Sequence, residues 1–165
     1  LYRIGDGFSV TFKSRCGEPR NELDQIGYSV ADFYNEAEIG VIGVGYWGKK
    51  ILEEYTELAK TGEKVNIQSI CDLDAGNVQY CRERFGATHV FRNHGELLSS
   101  PEIDAVNICT PNETHYQICR DALNANKHVL LEKPMTLKPS EAHELVRLAA
   151  NKGLTLSVGH IFRFN

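Results

Sequence analysis

From residue 38 onward the chain alternates short apolar runs with longer amphipathic stretches, the rhythm of parallel strands joined by crossover helices. Residues 38–44 predict the first strand. Residues 47–60 follow as a helix with Ile51, Leu52, Tyr55, Leu58 and Ala59 on one face, stopped near Gly62. Residues 65–71 predict the second strand and 77–85 a helix ending at Gly86. A short third strand at 89–91 leads through a turn at Ser99, Ser100 and Pro101 to the fourth, 105–109. A helix over 113–124 follows, with Asn112 as its N-cap. The fifth strand is 128–132. Pro139 suits the first position of the next helix, whose inward face is Ala142, Leu145, Val146 and Ala149 up to Gly153, and 154–158 is the sixth strand. Six strands with right-handed helical crossovers make an α/β fold, a doubly wound parallel Rossmann sheet in the order 3-2-1-4-5-6.

Residues 1–37 do not join this rhythm. Phe8, Val10 and Phe12 alternate as in a half-buried strand, Gly5, Gly7, Gly17, Pro19 and Asn21 interrupt the segment, and residues 29–36 suit a short helix. An added hairpin, a remnant of a fused neighbour and a loose tail all remain open for it. The expected organisation is a short N-terminal extension, 1–37, followed by one nucleotide-binding domain, 38–165.

Composition narrows the classes. The 165 residues fit one domain of ordinary size, and 42% hydrophobic with 24% charged residues is the balance of a soluble globular protein. No apolar run approaches the roughly 18 residues of a membrane span. A formal charge of -4, with Lys and Arg dispersed, argues against a nucleic-acid surface. Cys16, Cys71, Cys81, Cys109 and Cys119 form no C-x-x-C pair and are odd in number, so reduced thiols are expected rather than zinc or a disulfide framework. His89, His94, His128 and His143 lack ligand spacing, and no metal site is expected. With no charged-then-apolar leader, a cytoplasmic location is expected.

The chemistry starts where the first strand ends, in Gly43-Val44-Gly45-Tyr46-Trp47-Gly48. Gly43 permits a tight turn, Gly45 lets backbone approach a pyrophosphate, and Gly48 lets helix pack against strand, so that a phosphate sits on the helix N-terminus. The spacing alone is a weak signal, and a ligand-free turn explains it equally well. A strand before it and an amphipathic helix after it favour the dinucleotide. Asp72 closes the second strand, 24 positions beyond Gly48, at about the distance expected of a carboxylate that binds the adenine ribose hydroxyls. Such a carboxylate repels a ribose 2'-phosphate, which favours NAD over NADP. The plainer alternative for Asp72 is a polar strand cap, and Asp74 reads as a turn or N-cap residue.

Two more stretches lie at predicted strand ends: Cys109-Thr110-Pro111-Asn112 with His115, and Glu132-Lys133-Pro134. Together with the glycine loop, Cys71-Asp72-Leu73-Asp74 and the final Gly159-His160-Ile161-Phe162-Arg163-Phe164-Asn165, they closely resemble the glucose-fructose oxidoreductase, inositol dehydrogenase and MocA (Gfo/Idh/MocA) family of NAD(P)-dependent oxidoreductases. The resemblance runs from about residue 39 to 165 and covers that family's N-terminal Rossmann domain. It implies that Gly43, Gly45 and Gly48 hold the pyrophosphate, with Tyr46 and Trp47 lining the loop, and that Asp72 binds the adenosine ribose. Thr110, Pro111 and Asn112 would pass beneath the cofactor near the nicotinamide, with His115 opening the next helix. Lys133 would be the catalytic lysine, orienting a substrate hydroxyl and favouring its deprotonation as hydride leaves the same carbon. Glu132 would support Lys133, and Pro134 would fix the turn. An ordinary exposed lysine is the plainer alternative.

The family's substrate domain would begin after Asn165 and is absent from this sequence. His160 and Arg163 are expected to mark the crossover toward it, ahead of a role for His160 as a base. The expected function is thus the cofactor domain of an NAD-dependent oxidoreductase that moves hydride between nicotinamide and a sugar or nucleotide-sugar hydroxyl carbon. The alternative is a stand-alone dinucleotide-binding module without turnover. Association with a partner chain or as a homo-oligomer is compatible with either.

Overall fold

A computed structural model describes residues 2–4, 8–10, 38–60 and 66–159 of the chain. Near the N-terminus, β1 (Tyr2–Ile4) and β2 (Phe8–Val10) pair antiparallel as a separate two-stranded sheet. Phe12, the short helix expected over 29–36, and His160 and Arg163 lie outside the described residues.

The alternation from residue 38 gives β3 (Glu38–Ile42), α1 (Tyr46–Lys60), β4 (Asn66–Cys71), α2 (Ala75–Phe85) and β5 (His89–Phe91). It continues with α3 (His94–Ser99), β6 (Ala105–Ile108), α4 (His115–Asn124), β7 (His128–Glu132), α5 (Pro139–Lys152) and β8 (Leu156–Gly159). The six strands β3 to β8 form one sheet in the order β5-β4-β3-β6-β7-β8, every pair parallel. Counted from β3, that is 3-2-1-4-5-6, the doubly wound order expected from the sequence.

Both faces of such a sheet are covered, so neighbouring strand residues point into different layers. Val41, Val44 and Ile70 pack with Leu52 of α1 and Cys81 of α2. Ile42, Cys71, Val106, Ile108 and Leu131 pack with Leu97 of α3, Leu123 of α4 and Leu145 of α5. Each fully buried leucine contributes about 1.5–3 kcal/mol relative to exposure. Polar groups in this interior are paired: Asn107, on the opposite face of β6 from Val106, donates from Nδ2 to the Tyr55 hydroxyl of α1 at 3.4 Å. Lys127, also buried, donates from Nζ to the carbonyls of Ser100 and Ile103 at 2.7 and 2.6 Å, holding the loop that enters β6.

Four local expectations need correction. Residues 94–99 form α3, where only a turn was expected; Asn93 caps it, its side chain accepting from Gly95 N at 2.7 Å. Asn112 is not the N-cap of α4. It opens a 3-10 turn, Asn112–Thr114, and α4 begins at His115 behind Thr114. This happens because Pro111, lacking an N–H and fixed in φ, starts a tight turn that must finish before the helix can begin. On α5, Val146 is exposed while Leu145 and Ala149 are buried and Leu148 packs against the core. The buried stripe is therefore Leu145, Leu148 and Ala149, one step around the helix from the expected face. Ala59, near the C-terminal end of α1, is likewise exposed.

Candidate functional site

All the singled-out residues from Gly43 to Lys133 gather along one edge of the sheet, where β3, β4, β6 and β7 end, because parallel strands deliver all their C-terminal loops to the same side. At the centre, Gly43 turns out of β3 with φ of 86°, a left-handed conformation in which a side chain is strained. Its N–H donates to the Cys71 carbonyl at 2.8 Å, and Cys109 N donates to the Ile42 carbonyl at 2.8 Å, so the loop is tied to both neighbouring strand ends. Gly48 sits in the first turn of α1, pressed on that turn. A Cβ there would lie 2.0 Å from the Gly43 carbonyl oxygen, whereas a Cβ at Gly45 would meet nothing within 4 Å. The middle glycine thus faces open space, and only the outer two are demanded by packing.

By helix geometry the N–H groups of the first turn of α1 have no acceptor within the helix, and that turn carries no acidic residue. Together with the open space beside Gly45, this is a cradle that fits an anionic group such as a pyrophosphate. Tyr46 and Trp47 are exposed on the same turn, edge to face with ring centroids 5.4 Å apart. Lys49 follows them: its Nζ donates to Asn77 Oδ1 at 2.7 Å and stands 4.8 Å from the Tyr80 ring centre, bracing α1 against α2.

At the end of β4, Asp72 accepts from Val44 N through Oδ2 and from Asp74 N through Oδ1, both at 2.8 Å. Two backbone donors therefore orient the carboxylate over the glycine loop, and each oxygen keeps a lone pair for a further donor such as a ribose hydroxyl. Asp74 is the N-cap of α2, accepting from Asn77 N at 2.8 Å, as expected of it. The exposed Leu73 lies between them, and its carbonyl accepts from Arg92 at 2.6 Å.

At the end of β6, Thr110 packs on the glycine turn, and Thr114 Oγ1 donates to the Pro111 carbonyl and accepts from the Thr110 hydroxyl, both at 2.7 Å. Pro111 and Asn112 are exposed. His115 is fully buried, with Nδ1 2.7 Å from the Pro134 carbonyl oxygen and Nε2 2.9 Å from that of Thr110. At the end of β7, Lys133 is exposed beside the half-buried Glu132. Burial raises the Glu132 carboxyl above its ordinary range, opposed by the Lys133 N–H and by the positive charge of Lys133 and of His115.

Sequence reading missed three residues of this edge: Thr114, Lys49 and Arg92. Thr114 stands four positions after Thr110, a spacing at which two hydroxyls meet around a turn. Lys49 and Arg92 carry no local signal, because the groups they hold come from α2 and the β4 loop. Among the described residues no cluster of three or more His, Cys, Asp or Glu could hold a metal, and no helix is long and apolar enough to cross a membrane.

Comparison with known proteins agrees with this geometry. A family model described as an oxidoreductase family with an NAD-binding Rossmann fold, GFO_IDH_MocA, matches residues 37–160. UDP-N-acetylglucosamine 3-dehydrogenase of Acidithiobacillus ferrooxidans is 33% identical over 124 residues, 75% of this chain and 37% of that protein. An inositol 2-dehydrogenase/D-chiro-inositol 3-dehydrogenase of Lactiplantibacillus plantarum is 30% identical over 111 residues, 66% of this chain and 31% of that protein. The structure of scyllo-inositol dehydrogenase from Lactobacillus casei with bound cofactor NAD(H) and scyllo-inositol superposes with a TM-score of 0.71 at 28% identity, covering 79% of this chain and 38% of that one. The chain therefore spans about a third of the length of such proteins.

Proposed function

The chain belongs to the Gfo/Idh/MocA oxidoreductase family, of which it forms the NAD-binding Rossmann domain, and from that premise we propose that its C-terminal sheet edge binds NAD in preference to NADP for the oxidation of a sugar or nucleotide-sugar hydroxyl. The observation that carries this reading is the cradle formed by Gly43, Gly45 and Gly48 with the backbone-oriented carboxylate of Asp72 beside it. First-turn N–H groups of α1 receive the pyrophosphate, with Tyr46 and Trp47 flanking it. Asp72 accepts from the adenosine ribose hydroxyls and repels a 2'-phosphate.

Thr110, Pro111 and Asn112 line the nicotinamide half, while Glu132 and His115 act from behind the loops that carry Lys133. The bound nicotinamide supplies the hydride acceptor. Lys133, exposed at the end of β7, orients the substrate hydroxyl through its ammonium and favours loss of the hydroxyl proton, to solvent or to a base of the substrate half, as the carbon beneath it loses hydride. Relatives named for UDP-N-acetylglucosamine and inositol support a polyol or sugar as the substrate class of the whole protein. The free thiols of Cys71, Cys81, Cys109 and Cys119 suit a reducing compartment, and the cytoplasm is the proposed location.

Trp47 is the chain's only tryptophan and lies in the glycine loop, so its fluorescence reports the site. Titration of the chain should give saturable quenching with NADH at an affinity at least about tenfold above that for NADPH, a difference of about 1.4 kcal/mol. Asp72→Asn should shrink this gap by strengthening NADPH relative to NADH. No saturable response to either dinucleotide would overturn the reading, and equal responses would remove Asp72 from its proposed role.

A further inference from the structure

His115 is the one fully buried histidine among the described residues, and both of its nitrogens face backbone carbonyl oxygens, Pro134 at 2.7 Å and Thr110 at 2.9 Å. A carbonyl oxygen can only accept. A neutral imidazole has one N–H, so in either tautomer its bare nitrogen would press a lone pair against a carbonyl oxygen, in a place its burial closes to bulk water. The doubly protonated ring alone satisfies both contacts. A buried cation also needs a counter-charge, and the two bridged segments carry one acidic side chain that is not exposed, the half-buried Glu132.

The other ionisable groups around the ring do not replace this pairing. Lys133, beside Glu132, has the same sign as the ring and is exposed, and the Cys109 thiol at the end of β6 is held neutral by burial. On its own segment Glu113 is exposed. The helices packed on α4 bring their charges farther along it: Asp121 meets His94 of α3, and Arg120 lies near Glu144 of α5.

We propose that His115 is a positioning residue that works as an imidazolium bridge, donating one N–H to each of the two loops that carry Thr110 and Lys133 and thereby fixing their separation. The ring touches neither cofactor nor substrate. It acts through the Thr110 and Pro134 carbonyls, one residue beyond Lys133 on one side and at the foot of the Thr110-Pro111-Asn112 turn on the other. That the separation matters for the nicotinamide half rests on the function proposed above; the charge of the ring does not.

The test separates the two. The full chain is labelled with 15N-histidine, and its ring nitrogens are observed by NMR near pH 7 without cofactor, with His115→Gln used to assign the signal. One ring should have both nitrogens protonated, with both protons shielded from exchange, and this signal should be missing from the variant. A ring with one bare nitrogen would overturn the inference, whatever the chain binds. NADH titrations monitored by Trp47 then read the consequence. The wild-type dissociation constant should stay flat while both ring protons persist and rise up to about tenfold per pH unit above that range. In His115→Gln, which offers donors from a single nitrogen, it should be raised about tenfold or more at neutral pH, with the pH dependence gone. A folded variant that binds NADH as wild type does, with the same pH profile, would reduce His115 to a packing residue. Absence of NADH binding by the wild type, with the doubly protonated ring present, would sink the cofactor reading and leave the bridge standing.

Discussion

At the scale of single residues, the three loop glycines differ in what holds them in place, and that difference can be measured. A methyl group at position 48 would be driven to 2.0 Å from the Gly43 carbonyl, so Gly48→Ala must push α1 away from β3 or break the turn. Overpacking of this kind costs about 1–3 kcal/mol. At position 45 a methyl group meets open space, so Gly45→Ala should leave the unfolding free energy within about 0.5 kcal/mol of wild type. The same methyl group would stand where a phosphate approaches the backbone, and NADH affinity should drop at least about tenfold. Urea unfolding and Trp47 titration of both variants distinguish a loop shaped only by packing from one shaped for a ligand. If Gly45→Ala binds NADH unchanged, the phosphate site lies elsewhere. The charged residues of this edge were only partly readable from sequence. Asp72 stands at a spacing that follows from strand and helix lengths, so its place could be expected. The partners of Lys49 and Arg92 are set by how α2 and β5 pack, which no local pattern encodes.

At the scale of elements, all six strands of the main sheet and four of its five helices could be read from periodicity, because a parallel sheet buried on both faces makes continuous apolar runs that stand out against amphipathic helices. The exception, α3, is six residues long, too short to display a helical period, and Gly95, Ser99, Ser100 and Pro101 hide it behind turn chemistry. A signal was nonetheless present in Asn93 with Glu96 three residues later, the cap spacing that precedes Leu97 and Leu98. The misplaced face of α5 has a different origin. Leu145 and Val146 are adjacent and both apolar, and only the tilt of the helix on the sheet decides which is buried. Leu145→Ala should therefore destabilise the domain by about 2–5 kcal/mol, while Val146→Ala should change it by less than about 0.5 kcal/mol. Equal losses in chemical denaturation would mean that α5 packs through a different stripe from the one described.

At the scale of the whole molecule, the interior lies in two clusters on opposite faces of one sheet, and a buried thiol stands in each: Cys81 in the cluster under α1 and α2, Cys119 in the cluster under α3 to α5. Burial pushes these thiols up, to about 11 for Cys81 and about 12 for Cys119. The sign of the linkage follows. The folded chain keeps protons that the unfolded chain releases near pH 8.5–9, so the contribution of these thiols to stability is intact below that range and declines as pH rises toward 11 to 12. Both thiols are closed off by burial, so labelling by a thiol reagent must pass through opening of the fold. Because the sheet is shared by both clusters, we expect them to open together. Labelled peptides separated by mass should show Cys81 and Cys119 reacting at one common rate at pH 8. NADH at a hundredfold excess over its dissociation constant should slow both about a hundredfold, since a ligand of the native state lowers the unfolded population by that factor. The glycine loop touches the first cluster directly through Val44, whereas Cys119 lies across the sheet. Slowing of Cys81 alone would divide the domain into two folding units, and slowing of both would make the bound dinucleotide a brace for the entire sheet.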